Sequence, residues 1–220
     1  MNSTGSVRAF VQARMSSRRL PGKVLAPFRG RPMIRHVVSA VERAFGGAVP
    51  VTVITSVDLT DDPLAAYLES ERLDVFRGPL DDVFGRFDEC RRTRACDWIL
   101  RLNGDSPLMN CSVLRRVVKE ASLAPCDLVT TTFPRTFPTG QNAELIRTGL
   151  FDEVVAHELT GHDREHVTQF FYRHPDRFRI RNVTSGDATL AKMSLAVDTL
   201  DDLLRLEALS EADVKMFVAG

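Results

Sequence analysis

The sequence is poor in cysteine and gives its thiols no pattern. Cys90, Cys96, Cys111 and Cys126 form no CxxC pair and no dense framework. That excludes a disulfide-stapled scaffold and a zinc ribbon, and it fits reduced thiols in a cytoplasmic protein. No apolar run approaches the roughly 20 residues that span a bilayer, so no membrane partner is expected. The first residues lack the apolar stretch of a secretory signal. They are rich in Arg and Ser, as a transit peptide is, but they read better as a strand followed by a site loop. Neither GxxxxGK[ST] nor GxGxxG occurs, which excludes the two commonest phosphate-loop signatures. Internal repeats, low-complexity tracts and linkers are missing too, so residues 1–220 are expected to form a single domain. The most informative absence is acidic. Lys+Arg and Asp+Glu each number 29, yet the first acidic residue is Glu42. Before it lie Arg8, Arg14, Arg18, Arg19, Lys23, Arg29, Arg31 and Arg35. A basic opening in a neutral protein points to a local anion site. The other basic residues are interleaved with acids, so no nucleic-acid partner is expected.

Strand and helix signals alternate through the first 130 residues. Apolar runs at 7–11, 51–55, 74–76, 98–102 and 127–131 predict strands, and 3.6-residue periodicity predicts helices over 33–45, 81–95 and 112–123. Gly46-Gly47 closes the first helix, and Asp61 or Asp62 with Pro63 opens the next. This rhythm implies βαβ units, hence a largely parallel sheet with helices on both faces. Ligands in such sheets bind beyond the carboxyl ends of the strands, so the loops at 12–23, 77–86 and 103–107 should line one crevice. Residues 132–142 carry two prolines and a glycine and predict an irregular arm, reaching to about 145. Beyond it, helices are expected over 147–157 and 163–172, strands at 178–182 and 195–197, and a closing helix over 200–209.

The stretch Gln12–Lys23, QARMSSRRLPGK, is the densest in chemistry. Arginine forks, a lysine point charge and backbone N–H groups after a strand suit phosphate oxygens. Asp105 follows a buried strand beside Gly104, where an oxygen-ligated Mg²⁺ would meet a triphosphate. Asp198 repeats the arrangement, although a helix N-cap is an equally good reading of it. His157-Glu158 and His162 imitate a zinc-protease motif, but position 161 is Gly161, and histidines five apart leave a shared helical face. Arg164-Glu165-His166 is a polar cluster near a helix start. Its alternative is a capped, solvated first turn.

Together these blocks resemble the cytidylyltransferases that activate acidic sugars, such as the CMP-sialic acid and CMP-Kdo synthetases, and more closely their relatives among SpsF-type spore-coat polysaccharide biosynthesis proteins. The resemblance runs through QARMSSRRLPGK, FRGPLDDVFGRF (76–87), RLNGDSPL (101–108), TFPTGQNAEL (136–145), DREHVT (163–168) and VDTLDDL (197–203). It implies an α/β, Rossmann-like nucleotidyltransferase fold with a mostly parallel mixed sheet, a homodimer, and CMP transfer from CTP to a small acidic acceptor with release of pyrophosphate. By the same resemblance Ala13 and Arg14 lie against the base and phosphates, Arg19 and Lys23 hold the triphosphate, and Asn103 helps read the cytosine. Arg77 and Asp82 line the pocket, while Asp105 and Asp198 bind Mg²⁺. Arg164, Glu165 and His166 face the acceptor, with Asn142 and Glu144 beside them. Catalysis falls to Arg19, Lys23 and Asp105. Lys23 and Asp105 are expected on exposed loops, so that losing either harms turnover rather than folding.

Two departures qualify the match. Gly140-Gln141-Asn142-Ala143-Glu144 stands where relatives read GLDVE, so Asn142 removes a charge near the acceptor. Arg18 replaces a small hydroxyl residue and adds charge beside the triphosphate. The acceptor stays open between a sugar acid and a phosphonate. A sugar-1-phosphate nucleotidyltransferase would want a glycine-richer GxGxR-type loop. A nucleotide-binding protein without catalysis would have less reason to keep both Asp105 and Asp198.

Overall fold

Strand β1 (Val7–Gln12) is apolar on both sides, because Ala9 and Val11 enter one core while Phe10 enters another, all fully buried. A strand buried on both faces belongs in the middle of a sheet flanked by helices. The computed structural model, which describes residues 5–154 and 158–218, places it there. Strands β4 (Val51–Ser56), β5 (Asp74–Gly78) and β6 (Trp98–Asn103) extend the parallel part. Strand β8 (Glu144–Arg147) then runs antiparallel between β6 and β7 (Leu128–Thr130), and β9 (Ile180–Asn182) closes the edge parallel to β7. The order is β5-β4-β1-β6-β8-β7-β9. A two-residue pair, β2 (Pro27–Phe28) with β3 (Arg31–Pro32), forms a small hairpin after the basic loop.

Helices α1 (Met33–Phe45), α2 (Asp62–Ser70) and α4 (Cys111–Glu120) cover one face. The other is covered by α3 (Val83–Thr93) and three short helices, α5 (Leu150–Glu153), α6 (Gly161–Glu165) and α7 (Gln169–Arg173). Phe10 meets Phe87 of α3 edge-on, with ring centroids 5.8 Å apart, inside this second core. A third cluster joins Phe28, Met33, Leu108, Leu195 and Val197 to α8 (Leu200–Glu207) and α9 (Glu211–Val218). No described helix is long and apolar enough to cross a membrane.

The first half follows the expected rhythm, and the second departs from it in five places. Residues 144–147 form β8 rather than the end of the arm, and this strand is what makes the sheet mixed. The helix expected over 147–157 is a single turn at α5, since Arg147 still belongs to β8; residues 155–157 lie outside the described residues. The helix expected over 163–172 splits, because His166 leaves helical geometry (φ −118°, ψ 82°) and β-branched Val167 and Thr168 follow it. Residues 195–197 form no strand, although Leu195 N–H bonds to Thr139 and Val197 N–H to Asp105. Helix α9 was not foreseen after the closing helix.

Candidate active site

The C-terminal ends of β1 and β6 approach so closely that position 104 has no room for a side chain. A Cβ on Gly104 would lie 2.9 Å from Ile34 Cδ1 and 3.0 Å from the Ala13 Cβ. Gly104 N–H bonds to the Gln12 carbonyl at 2.8 Å, which aligns the two loops leaving these strands. Between them, on the side of α3 and α6, opens a cleft of about 440 Å³. Gln12 and Asn103 face it because they share the parity of Phe10 and Ile99, which enter the second core.

The basic loop is held in place from behind. Asp61 is fully buried and accepts the Met15 N–H at 2.6 Å, the Ser56 N–H at 3.0 Å and both the Thr55 and Ser56 hydroxyls. It therefore tethers the loop, while Asp58 caps the short turn before α2. Gly22, at φ +72°, turns the chain into a 3₁₀ turn over Lys23–Leu25. This turn sends Lys23 inward. Its Nζ donates to Asp105 at 2.7 Å, to Asp198 at 2.9 Å and to the Val197 carbonyl at 2.8 Å. Lys23 is buried rather than exposed, contrary to the expectation from sequence, because it closes the gap between two strand-end carboxylates.

Asp198 is free to do this because Thr199 takes the cap of α8 through a reciprocal capping box with Asp202. The second Asp198 oxygen pairs with Arg19 at 2.9 Å. Two carboxylates converging on one ammonium offer hard oxygen donors at a common point. Mg²⁺ is held in this way by one or two carboxylates completed by substrate phosphates and water. The donor set fits, and it is too small for an all-protein cage: no group of three His, Cys, Asp or Glu suited to a metal exists among the described residues.

Six cations line the cleft, Arg14, Arg18, Arg19, Lys23, Arg86 and Arg101, against three acids, Asp105, Glu165 and Asp198. Ala13, Asn103 and His166 complete the expected residues found there. Helix α6 delivers Glu165 and His166 because Thr160 and Asp163 form its capping box, which settles the first turn without using either of them. Arg14 lies 3.7 Å from Glu165. Burial, and next the neighbouring His162 whose ring centroid is 4.5 Å away, hold the His166 pKa below its ordinary 6.5.

Five expected residues lie off the cleft wall. Arg77 binds the Ser56 and Asp58 carbonyls and Asp62, so it staples the ends of β4 and β5. Asp82 caps α3 through Gly85 N–H and accepts from Arg164 at 2.8 Å, which ties α6 to α3. Asn142 accepts from Arg135 at 2.5 Å in the arm. Glu144 is buried directly opposite Arg101 across β6 and β8, ion-paired with it and hydrogen-bonded by the Tyr172 hydroxyl. It touches the cleft only through Arg101. His157, of the zinc-like motif, lies outside the described residues.

Sequence reasoning singled out none of Gln12, Ser17, Arg86 and Arg101 individually, although the first three lie in the loops expected at the crevice and only Arg101 lies outside them. Two of these carried a signal. Arg101 is a charge inside an otherwise apolar strand, WILRL, and Arg86 shares the apolar face of a helix with Val83, Phe87 and Cys90. A charge in either setting needs a reason.

Comparison with known proteins bears on the family and the fold. The chain is similar to the spore coat polysaccharide biosynthesis protein SpsF of Bacillus subtilis (strain 168), at 29% identity over 90% of this chain and 84% of that one. It is also similar to the 3-deoxy-manno-octulosonate cytidylyltransferase of Aeromonas salmonicida (strain A449), at 32% identity over 56% of this chain and 49% of that one. Among solved structures it superposes on a cytidylyltransferase from Leptospira borgpetersenii serovar Hardjo-bovis (strain JB197) with a TM-score of 0.84 and 25% identity, covering 96% of this chain and 92% of that one. A family model described as cytidylyltransferase matches residues 9–212. The chain therefore belongs to the cytidylyltransferase family and has its Rossmann-like nucleotidyltransferase fold.

Proposed function

We propose that this chain transfers CMP from CTP to a small acidic acceptor, with pyrophosphate leaving. The observation that carries this reading is the excess of cations in one cleft, gathered around a lysine held between Asp105 and Asp198. A triphosphate is the common ligand whose charge answers that excess, and the 3-deoxy-manno-octulosonate cytidylyltransferase named above supports both the base and an acidic acceptor.

In this reading the triphosphate lies along the loop after β1. Arg14 and Arg19 reach its outer oxygens as planar, bidentate donors. Lys23 exchanges its carboxylate partners for phosphate oxygens and stays beside the leaving pyrophosphate, where charge accumulates. The small, buried Ala13 leaves a flat wall for the base, and Asn103 offers an amide that can both donate and accept at its edge. Asp105 and Asp198 would hold Mg²⁺, which supplies charge neutralisation and polarisation at the α-phosphate. An acceptor hydroxyl oxygen forms the new bond to the α-phosphorus as the bond to the β-phosphate bridging oxygen breaks, and the hydroxyl proton is lost. At the α6 end His166 is the group whose neutral form burial favours, so it is suited to receive that proton.

The test is pyrophosphate release with each of the four common nucleoside triphosphates and Mg²⁺, against a panel of sugar acids and phosphonates. Release with CTP and one acceptor is expected. Release with another nucleotide and a sugar 1-phosphate would replace this reading.

A further inference from the structure

Arg86 is 1% exposed, yet no carboxylate pairs with it among the described residues. Its Nε donates to the Pro79 carbonyl at 2.8 Å, and its Nη2 donates to Pro79 at 2.5 Å and Leu80 at 2.8 Å. These bonds fix the plane of the guanidinium and leave its charge unanswered, with Asp61, Asp81 and Asp82 acting only from a distance. Burial pushes its pKa down, as it does for a cation without a partner. A second guanidinium on the same cleft is similarly incomplete. Arg101 is ion-paired through Nη1 with Glu144 and donates from Nη2 to Gln12, while its buried Nε has no partner. Burying a cation without a counter-charge, as at Arg86, or an N–H without an acceptor, as at Arg101, is costly, and such cost persists where a ligand removes it.

Neither arginine belongs to the loop that would hold the triphosphate. Arg86 is rooted on α3. Arg101 stands two residues before Asn103 on β6, about 6–7 Å deeper along the strand. It is near enough to His166 of α6 to depress that ring's pKa. We propose that Arg86 and Arg101 together form a second anion subsite in the cleft, separate from the triphosphate loop, which binds the acid group of the acceptor. This rests on the cytidylyltransferase reading above and names the part of the acceptor that is recognised. An oxyanion with two or more acceptor oxygens, a carboxylate or a phosphonate, matches the donors these bonds leave over, Nη1 of Arg86 and Nε of Arg101.

The experiment titrates small anions into the full chain saturated with CTP, with divalent metal chelated so that no turnover occurs. Glycolate represents a hydroxy carboxylate and methylphosphonate a phosphonate. At least one is expected to bind without displacing CTP, and the tighter of the two identifies the acid. Arg86→Lys and Arg101→Lys each keep a charge but lose the guanidinium donor left for the ligand. Each should weaken probe binding about tenfold, the loss of one charge-assisted hydrogen bond, while CTP affinity moves less than about threefold. Competition between probe and CTP would overturn the proposal, since the pair would then read the triphosphate. So would probe affinity unchanged in both variants, or no probe binding to the CTP complex. The competition arm uses unaltered protein, so it stands even if a variant fails to fold. Failure of the parent reading shows differently, as absence of CTP binding even when Mg²⁺ is restored.

Discussion

Replacing Lys23 by Met tests whether this lysine and a divalent cation are alternative occupants of one position. The Lys23 side chain is 10% exposed and meets Asp105 (25%) and Asp198 (34%) at 2.7 and 2.9 Å. Removing one member of a buried ion pair costs about 3–5 kcal/mol, because the partners are left uncompensated. Water already reaches both carboxylates here, and solvent screening reduces that figure. A loss of about 1–3 kcal/mol is the reasonable range. For a chain of this size it lowers Tm by roughly 2–4 °C per kcal/mol, so a fall of about 2–12 °C is expected in chelator. The same substitution exposes the two carboxylates to metal. Mg²⁺ at about a hundredfold its dissociation constant stabilises by about 2.7 kcal/mol, which would return most of the lost Tm. The unaltered protein, with its ammonium in the way, should respond to Mg²⁺ far less until CTP draws Lys23 onto its phosphates. Scanning calorimetry of both proteins, with and without Mg²⁺ and CTP, reads all four states. Turnover of the variant should fall by about 10²–10³, as when one donor to developing negative charge is lost. Equal Mg²⁺ responses in the two nucleotide-free proteins would refute the exchange, and full activity of the variant would refute the placement of Lys23 beside the triphosphate.

Three further outcomes follow from the surroundings of the cleft. Tyr172→Phe removes a hydroxyl that bonds to buried Glu144 and to Thr130 and Thr132. We expect a stability loss of about 1–3 kcal/mol by denaturant titration, with the acceptor KM raised through Arg101 while the CTP KM holds; equal changes in both constants would contradict this. In His162→Ala, the ring titration of His166 followed by NMR should move upward, because a like charge is removed. It should remain below 6.5, because burial is the larger cause; an unmoved midpoint would exclude the coupling. Asp127 is held down to about 2 from an ordinary 3.8, chiefly by hydrogen bonds from Arg179 and further by Arg147. A depressed carboxyl contributes stability in full above 3.8 and loses it as pH falls toward 2. Asp127→Asn should therefore flatten acid unfolding across that window, and an unchanged slope there would show that the pair contributes nothing.

What could be read in the sequence divides along the physics that sets each element. Strands β1, β4 and β6 and helix α1 are fixed by local apolar pattern, because each is buried by its immediate sequence neighbours in a βαβ unit. The basic loop was legible for a related reason, since a carboxyl-end loop rich in Arg and Lys has few other uses. Strand β8 was not legible. Its four residues follow a run of prolines and glycine, and what makes Glu144–Arg147 a strand is pairing with β6, more than 40 residues earlier. Missing β8 also misplaced Glu144. In an arm it would face a ligand, whereas in register with Arg101 it is buried beneath the floor and reaches the cleft only through that arginine. Lys23 failed in the opposite sense. Its loop position suggested exposure, but Gly22 turns it inward onto carboxylates that lie 82 and 175 residues away. Residue types that carry chemistry were thus visible one at a time, while their pairing was decided by contacts distant in sequence. The charges that seemed out of place in their local pattern, Arg86 within an apolar helix face and Arg101 within an apolar strand, mark where such pairing should be sought first.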